Sequence, residues 1–216
     1  MALTLHYHPL SSFCWKVLIA LYENCTAFTP KLVDFGDETS RAQFAELWPV
    51  AKIPVLEDEA RGQIVPETTI IIEYLDRHYP GPARLVPEDP DLAHAARLAD
   101  RLFDNYVMAP MQKIVVDRLR PKDARDPFGV EEARGLLARA CAMVDRDMED
   151  REWAAGEVFG LADCAAAPAL FYADKVMPLA EPYPHAFAYL KRLEQRPSMA
   201  RVLAEAEPYF AMFPTE

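Results

Sequence analysis

Four prolines fall within eleven residues in "PGPARLVPEDP", Pro80 to Pro90. No regular element runs through such a stretch, because each ring removes a backbone donor and blocks continuation of a helix. The chain must therefore build its interior from two unlike parts. We expect a first domain at residues 1–80, a linker at 81–90 and a second domain at 91–216.

Before the break, "TLHYH" has the character of a strand. "SSFCWKVLIALYEN" then sets Phe13, Val17, Ala20 and Leu21 at i, i+4, i+7 and i+8, the period of an amphipathic helix with a serine as its N-cap. "FTPKLVDF" reads as a second strand and "SRAQFAELW" as a short helix opened by Ser40. "PVLED" and "GQIVP" follow as strands, and "TTIIIEYLDRHY" as a helix that stops at Pro80 and Gly81. The order βαβαββα predicts an α/β domain: a parallel βαβ unit, an antiparallel hairpin and a closing helix, giving a small mixed sheet covered by helices.

Beyond the break the pattern is helical. "DLAHAARLADRLFDNYVMAPMQKIVVDRL" reads as one long helix kinked or ended at Pro110. In "VEEARGLLARACAMVDRDMED", Ala133, Leu137, Ala140, Val144 and Met148 line one face. Shorter helices are expected from Ala162, His185 and Ser198. This half is predicted to be an all-α bundle.

Composition excludes several functions. Net charge is −11, which disfavours nucleic acid and anionic membrane, since both attract basic surfaces. Seven glycines form no phosphate-cradling loop. No apolar run reaches the roughly 18 residues of a membrane span, and "MALTLHYHPL" lacks the basic start of a signal peptide, so a cytoplasmic location is expected. Cys14, Cys25, Cys141 and Cys164 have no disulfide or zinc spacing. His6 and His8 would share one strand face, but with no third ligand nearby a metal is not expected.

Pro54, in "AKIPVLEDE", stands where a strand is about to begin. Proline cannot donate to a ladder, so it either starts an edge strand or serves another purpose.

Four motifs in fixed order resemble the cytosolic glutathione transferase superfamily, of the bacterial serine type close to the theta and zeta classes: "PLSSFCWKVLIAL", "AKIPVL", "PETTIIIEYLDRHYP" and "GLADCAAAP". The likeness spans the chain and implies a thioredoxin-like N-terminal domain followed by an all-helical C-terminal domain. It also implies glutathione as co-substrate, no metal, a homodimer, and transfer of the thiolate to a small hydrophobic electrophile. In that family the equivalent of Pro54 follows a cis bond, and the residue before it, here Ile53, offers backbone groups to the cysteinyl part of glutathione.

By the same resemblance Glu67 and Thr68 would hold the γ-glutamyl end, Thr68 as cap of the helix that follows, and Lys52 would hold the glycyl carboxylate. Serine is too weak a base to take the thiol proton at neutral pH, but it can donate a hydrogen bond to the thiolate beside the positive end of the first helix. Counting back from Lys16, expected to be structural, selects Ser12; aligning "SSFCW" with the zeta pattern selects Ser11. Cys14 falls two residues past the catalytic cysteine of related classes and is expected to pack as a small apolar residue. Tyr106, Met108, Met111, Phe210 and Phe213 are expected to line an apolar second-substrate pocket between the domains.

The chain departs from the pattern at Ala51, where glycine is usual, at Phe13 and at Trp48, which would crowd the glutathione site. Gly160 replaces the hydroxyl cap opposite Asp163, keeping half of a capping box. An alternative is therefore a non-catalytic adaptor on the same fold that binds a protein partner, as one bacterial member does on a cell-division filament.

Overall fold

A computed structural model describes residues 3–215. Strands β1 (Leu3–Tyr7), β2 (Thr29–Leu32), β3 (Val55–Asp58) and β4 (Gln63–Pro66) form one sheet in the order β2-β1-β3-β4. β1 runs parallel to β2, with Thr4 opposite Thr29. It runs antiparallel to β3, with Leu5 opposite Leu56, and β3 pairs antiparallel with β4. The inner strands β1 and β3 carry the buried Leu3, Leu5, Val55 and Leu56, whereas β2 is an exposed edge.

Helices α1 (Ser12–Glu23), α2 (Glu38–Leu47) and α3 (Thr68–His78) cover this sheet in a thioredoxin-like arrangement. α2 begins two residues before Ser40. Asp37 is its cap and accepts the Ser40 N–H at 2.6 Å, because a carboxylate satisfies the orphan donors and the helix dipole together. The Ser40 hydroxyl instead accepts from the Asp34 N–H at 3.0 Å.

The helical half contains α4 (Pro90–Leu102), α5 (Ala109–Arg118), α6 (Pro127–Asp147), α7 (Leu161–Val176), α8 (Pro184–Glu194) and α9 (Pro197–Ala206). Proline opens α4, α6, α8 and α9, where its missing N–H costs nothing. At the place where Pro110 was expected to kink or end a long helix, a π-helical stretch, Phe103–Met108, joins α4 to α5, and Pro110 falls in the first turn of α5. Asp163 accepts from the Gly160 N–H at 2.9 Å, which is the expected half of the capping box.

α7 joins the two halves. Its alanine-rich sequence lets α1 approach closely, and Trp15 of α1, fully buried, lies 5.0 Å from both Phe171 and Tyr172. Among the described residues no helix is long and apolar enough to cross a membrane.

Candidate functional site

The turn from β1 into α1 places the two serines. The Ser11 N–H donates to the His8 carbonyl at 3.0 Å, which closes the turn. Trp15 Nε1 donates to the Pro9 carbonyl at 2.5 Å and the Tyr172 hydroxyl to the Leu10 carbonyl at 2.8 Å, so both halves of the chain hold this loop in place. Ser11 is the N-cap of α1; its Oγ accepts from the Cys14 N–H at 3.3 Å, and its hydroxyl also lies within hydrogen-bond reach of the Cys14 thiol. Ser12 follows in the first turn, 4% exposed, with its Oγ 3.5 Å from the Gln112 amide. Cys14 is fully buried, and burial pushes its thiol up to about 12, so it packs as an apolar residue and is no nucleophile.

The second part of the site lies where β3 begins and α3 starts. The Ile53–Pro54 bond is cis. Ala51 takes a positive φ of 53°, the conformation for which glycine is the usual residue. Glu67 has φ 69° and is itself the N-cap of α3, without a side-chain cap bond. Thr68 is therefore the first helical residue and not the cap. Its hydroxyl bonds no described residue, and the first N–H groups of α3 point out beside it. Lys52 is exposed and pairs with no described acid.

These groups line two cavities that meet at Ile53. The smaller, about 180 Å³, is walled by Lys52, Pro54, Glu67 and Thr68 from the first half, with Arg101, Asp104 and Asn105 from the second. Phe13 and Trp48 also face it, which accounts for its narrowness. The larger, about 560 Å³, runs between the halves, with Ser11 and Ser12 at one end and a mostly apolar wall.

Of the five residues expected around a second substrate, Met111 and Phe213 line the larger cavity. The other three do not. Met108, the last residue of the π-helical stretch, sits at 0% exposure in the core. Tyr106 points outward and is 46% exposed. Phe210 stacks on Phe171 and lies edge-on to Trp15, where it closes the core beneath the tail. Arg118 holds the tail across the cavity by donating to the Pro214 carbonyl at 3.0 Å.

Sequence reasoning missed Arg101, Asp104 and Asn105, which reach the smaller cavity from the other half of the chain. It also missed His8, Gln112, Tyr172 and Met212 in the larger one. The one local signal was the charge pattern of "DRLFDN", which reads equally well as a solvated helix face. Lys16 explains that pattern. Fully buried, it lies 2.5 Å from Asp100 Oδ1 and 2.8 Å from Asp104 Oδ2, and donates to Thr69 Oγ1 at 3.0 Å. Arg101 bonds the same two acids from outside. Burial pushes the Asp104 carboxyl above its usual range, with Lys16 opposing. Among the described residues no cluster of His, Cys, Asp or Glu is placed to hold a metal.

Comparison with known proteins gives a consistent result. The family model of the glutathione S-transferase N-terminal domain matches residues 5–83, and that of the C-terminal domain matches residues 127–192. The chain is 27% identical over 217 residues to a glutathione S-transferase of Pseudomonas putida, covering 98% of this chain and 96% of that one. It is 28% identical over 215 residues to the FtsZ-localized protein A of Caulobacter vibrioides, covering 96% and 93%. Among solved structures it resembles a glutathione S-transferase from Methylobacillus flagellatus with glutathione bound, with a TM-score of 0.85, 27% identity, and coverage of 93% of this chain and 98% of that one.

Proposed function

This chain belongs to the cytosolic glutathione transferase superfamily, and on that premise we propose that it binds glutathione and transfers it to a small hydrophobic electrophile. The observation that carries this is the meeting of the two cavities at Ile53, with charged groups on one side and the serine turn on the other. Glutathione needs that sequence of partners: carboxylate holders at its ends, an acceptor for its ammonium, and a thiolate stabiliser between.

In this reading Thr68 and the N-terminus of α3 take the γ-glutamyl carboxylate, while Glu67 accepts from the ammonium beside the negative charge of Asp104. Lys52 takes the glycyl carboxylate, and the Ile53 backbone holds the cysteinyl unit. Ser11 donates to the sulfur, because it caps α1 and is the more exposed of the two serines. A free thiol ionises near 8.5, so each unit of lowering asks about 1.4 kcal/mol of preference for the thiolate. One charge-assisted hydrogen bond and a helix N-terminus supply that much.

The protein acts in the cytoplasm as a homodimer in this account. Ile64 of β4, Ile70 of α3 and Leu98 of α4 are exposed on adjoining elements, and Arg97 of α4 bonds Glu73 of α3 at 2.5 Å beside them. The adaptor reading is kept as the second, favoured by the likeness to the FtsZ-localized protein and by Phe13 and Trp48 in a cavity of about 180 Å³. Calorimetric titration of glutathione into the protein and its Glu67→Ala variant separates the two.

A further inference from the structure

Strand β1 carries a buried histidine outside both cavities of the proposed site. His6 is 3% exposed and sits on the side of the sheet that α2 covers, with its ring 5.8 Å from that of Phe44. Its Nε2 bonds Glu57 Oε2 of β3 at 3.1 Å. A carboxylate only accepts, so Nε2 donates, and in the neutral ring Nδ1 carries no proton. A cavity of about 380 Å³ lies between the sheet and the helix, lined by His6 and Phe44 together with Lys31 of β2, Glu57 of β3, and Gln43 and Glu46 of α2. Lys31, Glu57 and Glu46 are the charged groups that share this cavity with the ring, one from each element packed against it.

α2 is anchored lightly. Phe44 is its one buried residue, and it belongs to a cluster with Val33 and Val55 that is separate from the main core and is supported by Leu47, Trp48 and Ile53. Trp48 and Ile53 also wall the smaller cavity of the proposed site. From Trp48, the C-cap of α2, the chain leads through Ile53 to Val55, which stands opposite His6 in the sheet. One small cluster thus ties the surroundings of His6 to that wall.

We propose that His6 is a pH-sensitive lock on α2: with a neutral ring the helix is closed on the sheet, and protonation of the ring releases α2 together with the wall that Trp48 and Ile53 form. The second proton goes to Nδ1 and creates a buried cation, which gains water when α2 opens. Burial lowers the imidazolium below its usual range and Lys31 adds to this, while the bond and the charge of Glu57 pull the other way without cancelling it. The closed form therefore binds the proton less tightly than the open one, whose ring titrates near about 6.5, so closure is favoured above that pH and is lost progressively as pH falls below it. Local opening is the cheaper route to water, because it separates the small cluster and leaves the main core intact. Weaker glutathione binding in acid follows only on the transferase reading; the lock itself does not depend on it.

Hydrogen exchange of the full chain without ligand, followed by mass spectrometry between about pH 7.5 and 5.5 and corrected for intrinsic rates, reads the lock directly. Protection of the α2 amides is expected to fall about threefold to tenfold over this range while that of α7 holds. His6→Gln keeps an N–H donor toward Glu57 and has no titrating ring, so its α2 protection is expected to stay flat. Constant protection of α2 in the wild type overturns the proposal. So does a His6→Gln profile that follows the wild type, or an equal loss in α7, which would make the effect global. Should His6→Gln not fold, Glu57→Gln answers the same question. It removes the carboxylate that eases protonation, so the loss in α2 is expected to deepen, and an equal or shallower loss overturns the proposal.

Discussion

The ammonium of Lys16 lies 2.8 Å from the Asp104 carboxylate, joining the first helix of the sheet half to the helical half at a point with no exposure for the lysine. Asp104 also walls the smaller cavity. The pair therefore does two things: it fixes how the halves dock and it sets the charge beside the proposed γ-glutamyl site. Lys16→Met removes a fully buried partner of two acids, leaving Arg101 on both and the Thr69 hydroxyl on Asp100. We expect a loss of about 3 kcal/mol or more in urea denaturation. Wild-type stability in the variant would show that the buried pair only balances its own desolvation.

Ser11 has two roles in this account, cap and thiolate donor. Ser11→Ala is expected to cost about 1 kcal/mol of stability through the lost bond to the Cys14 N–H, and to raise the pKa of bound glutathione by about one unit, read from thiolate absorbance against pH. Ser12→Ala is expected to leave that titration near wild type. The reverse pattern would transfer the role to Ser12.

Glu23, at the end of α1, receives bonds from Arg196 at 2.9 and 2.7 Å and from Ser198 at 2.5 Å. Burial pushes its carboxyl up, but these bonds outweigh it and hold the group below its usual range. A depressed carboxylate contributes stability that is present above the unfolded pKa and lost as pH falls through the folded one. Glu23→Gln should therefore cost about 1–3 kcal/mol at pH 7 and progressively less as pH drops below about 4.5. A penalty independent of pH would mean that the bonds matter and the charge does not.

The exposed Ile64, Ile70 and Leu98, on β4, α3 and α4, predict self-association. Sedimentation should give about twice the chain mass of 24.4 kDa at micromolar concentration, and Ile70→Glu should shift it toward the single chain. A monomeric wild type would contradict the dimer.

Much of the fold was legible because its signals are local. The alternating apolar residues of β1, the period of α1, the Pro80–Pro90 break and the Asp163 cap each act within a few residues. The start of α2 was misread because serine and aspartate are both good caps, and only the folded loop shows Asp37 in the capping place. The π-helical turn before Pro110 was legible as a disturbance but not in form, and within it Met108 is buried while Tyr106 is exposed. Phe210 and Phe213 are three residues apart in one tail; their different fates depend on Trp15 and Phe171, far away in the chain. Arg101 and Asp104 reach the smaller cavity through tertiary approach alone, which no spacing rule encodes.

Titration calorimetry decides whether the smaller cavity is a glutathione site. Glutathione is expected to bind with a dissociation constant from micromolar to low millimolar, and Glu67→Ala to weaken that by about tenfold or more while the protein stays folded. Absence of heat and of any thermal shift at tens of millimolar glutathione would contradict the account and leave the adaptor reading in its place.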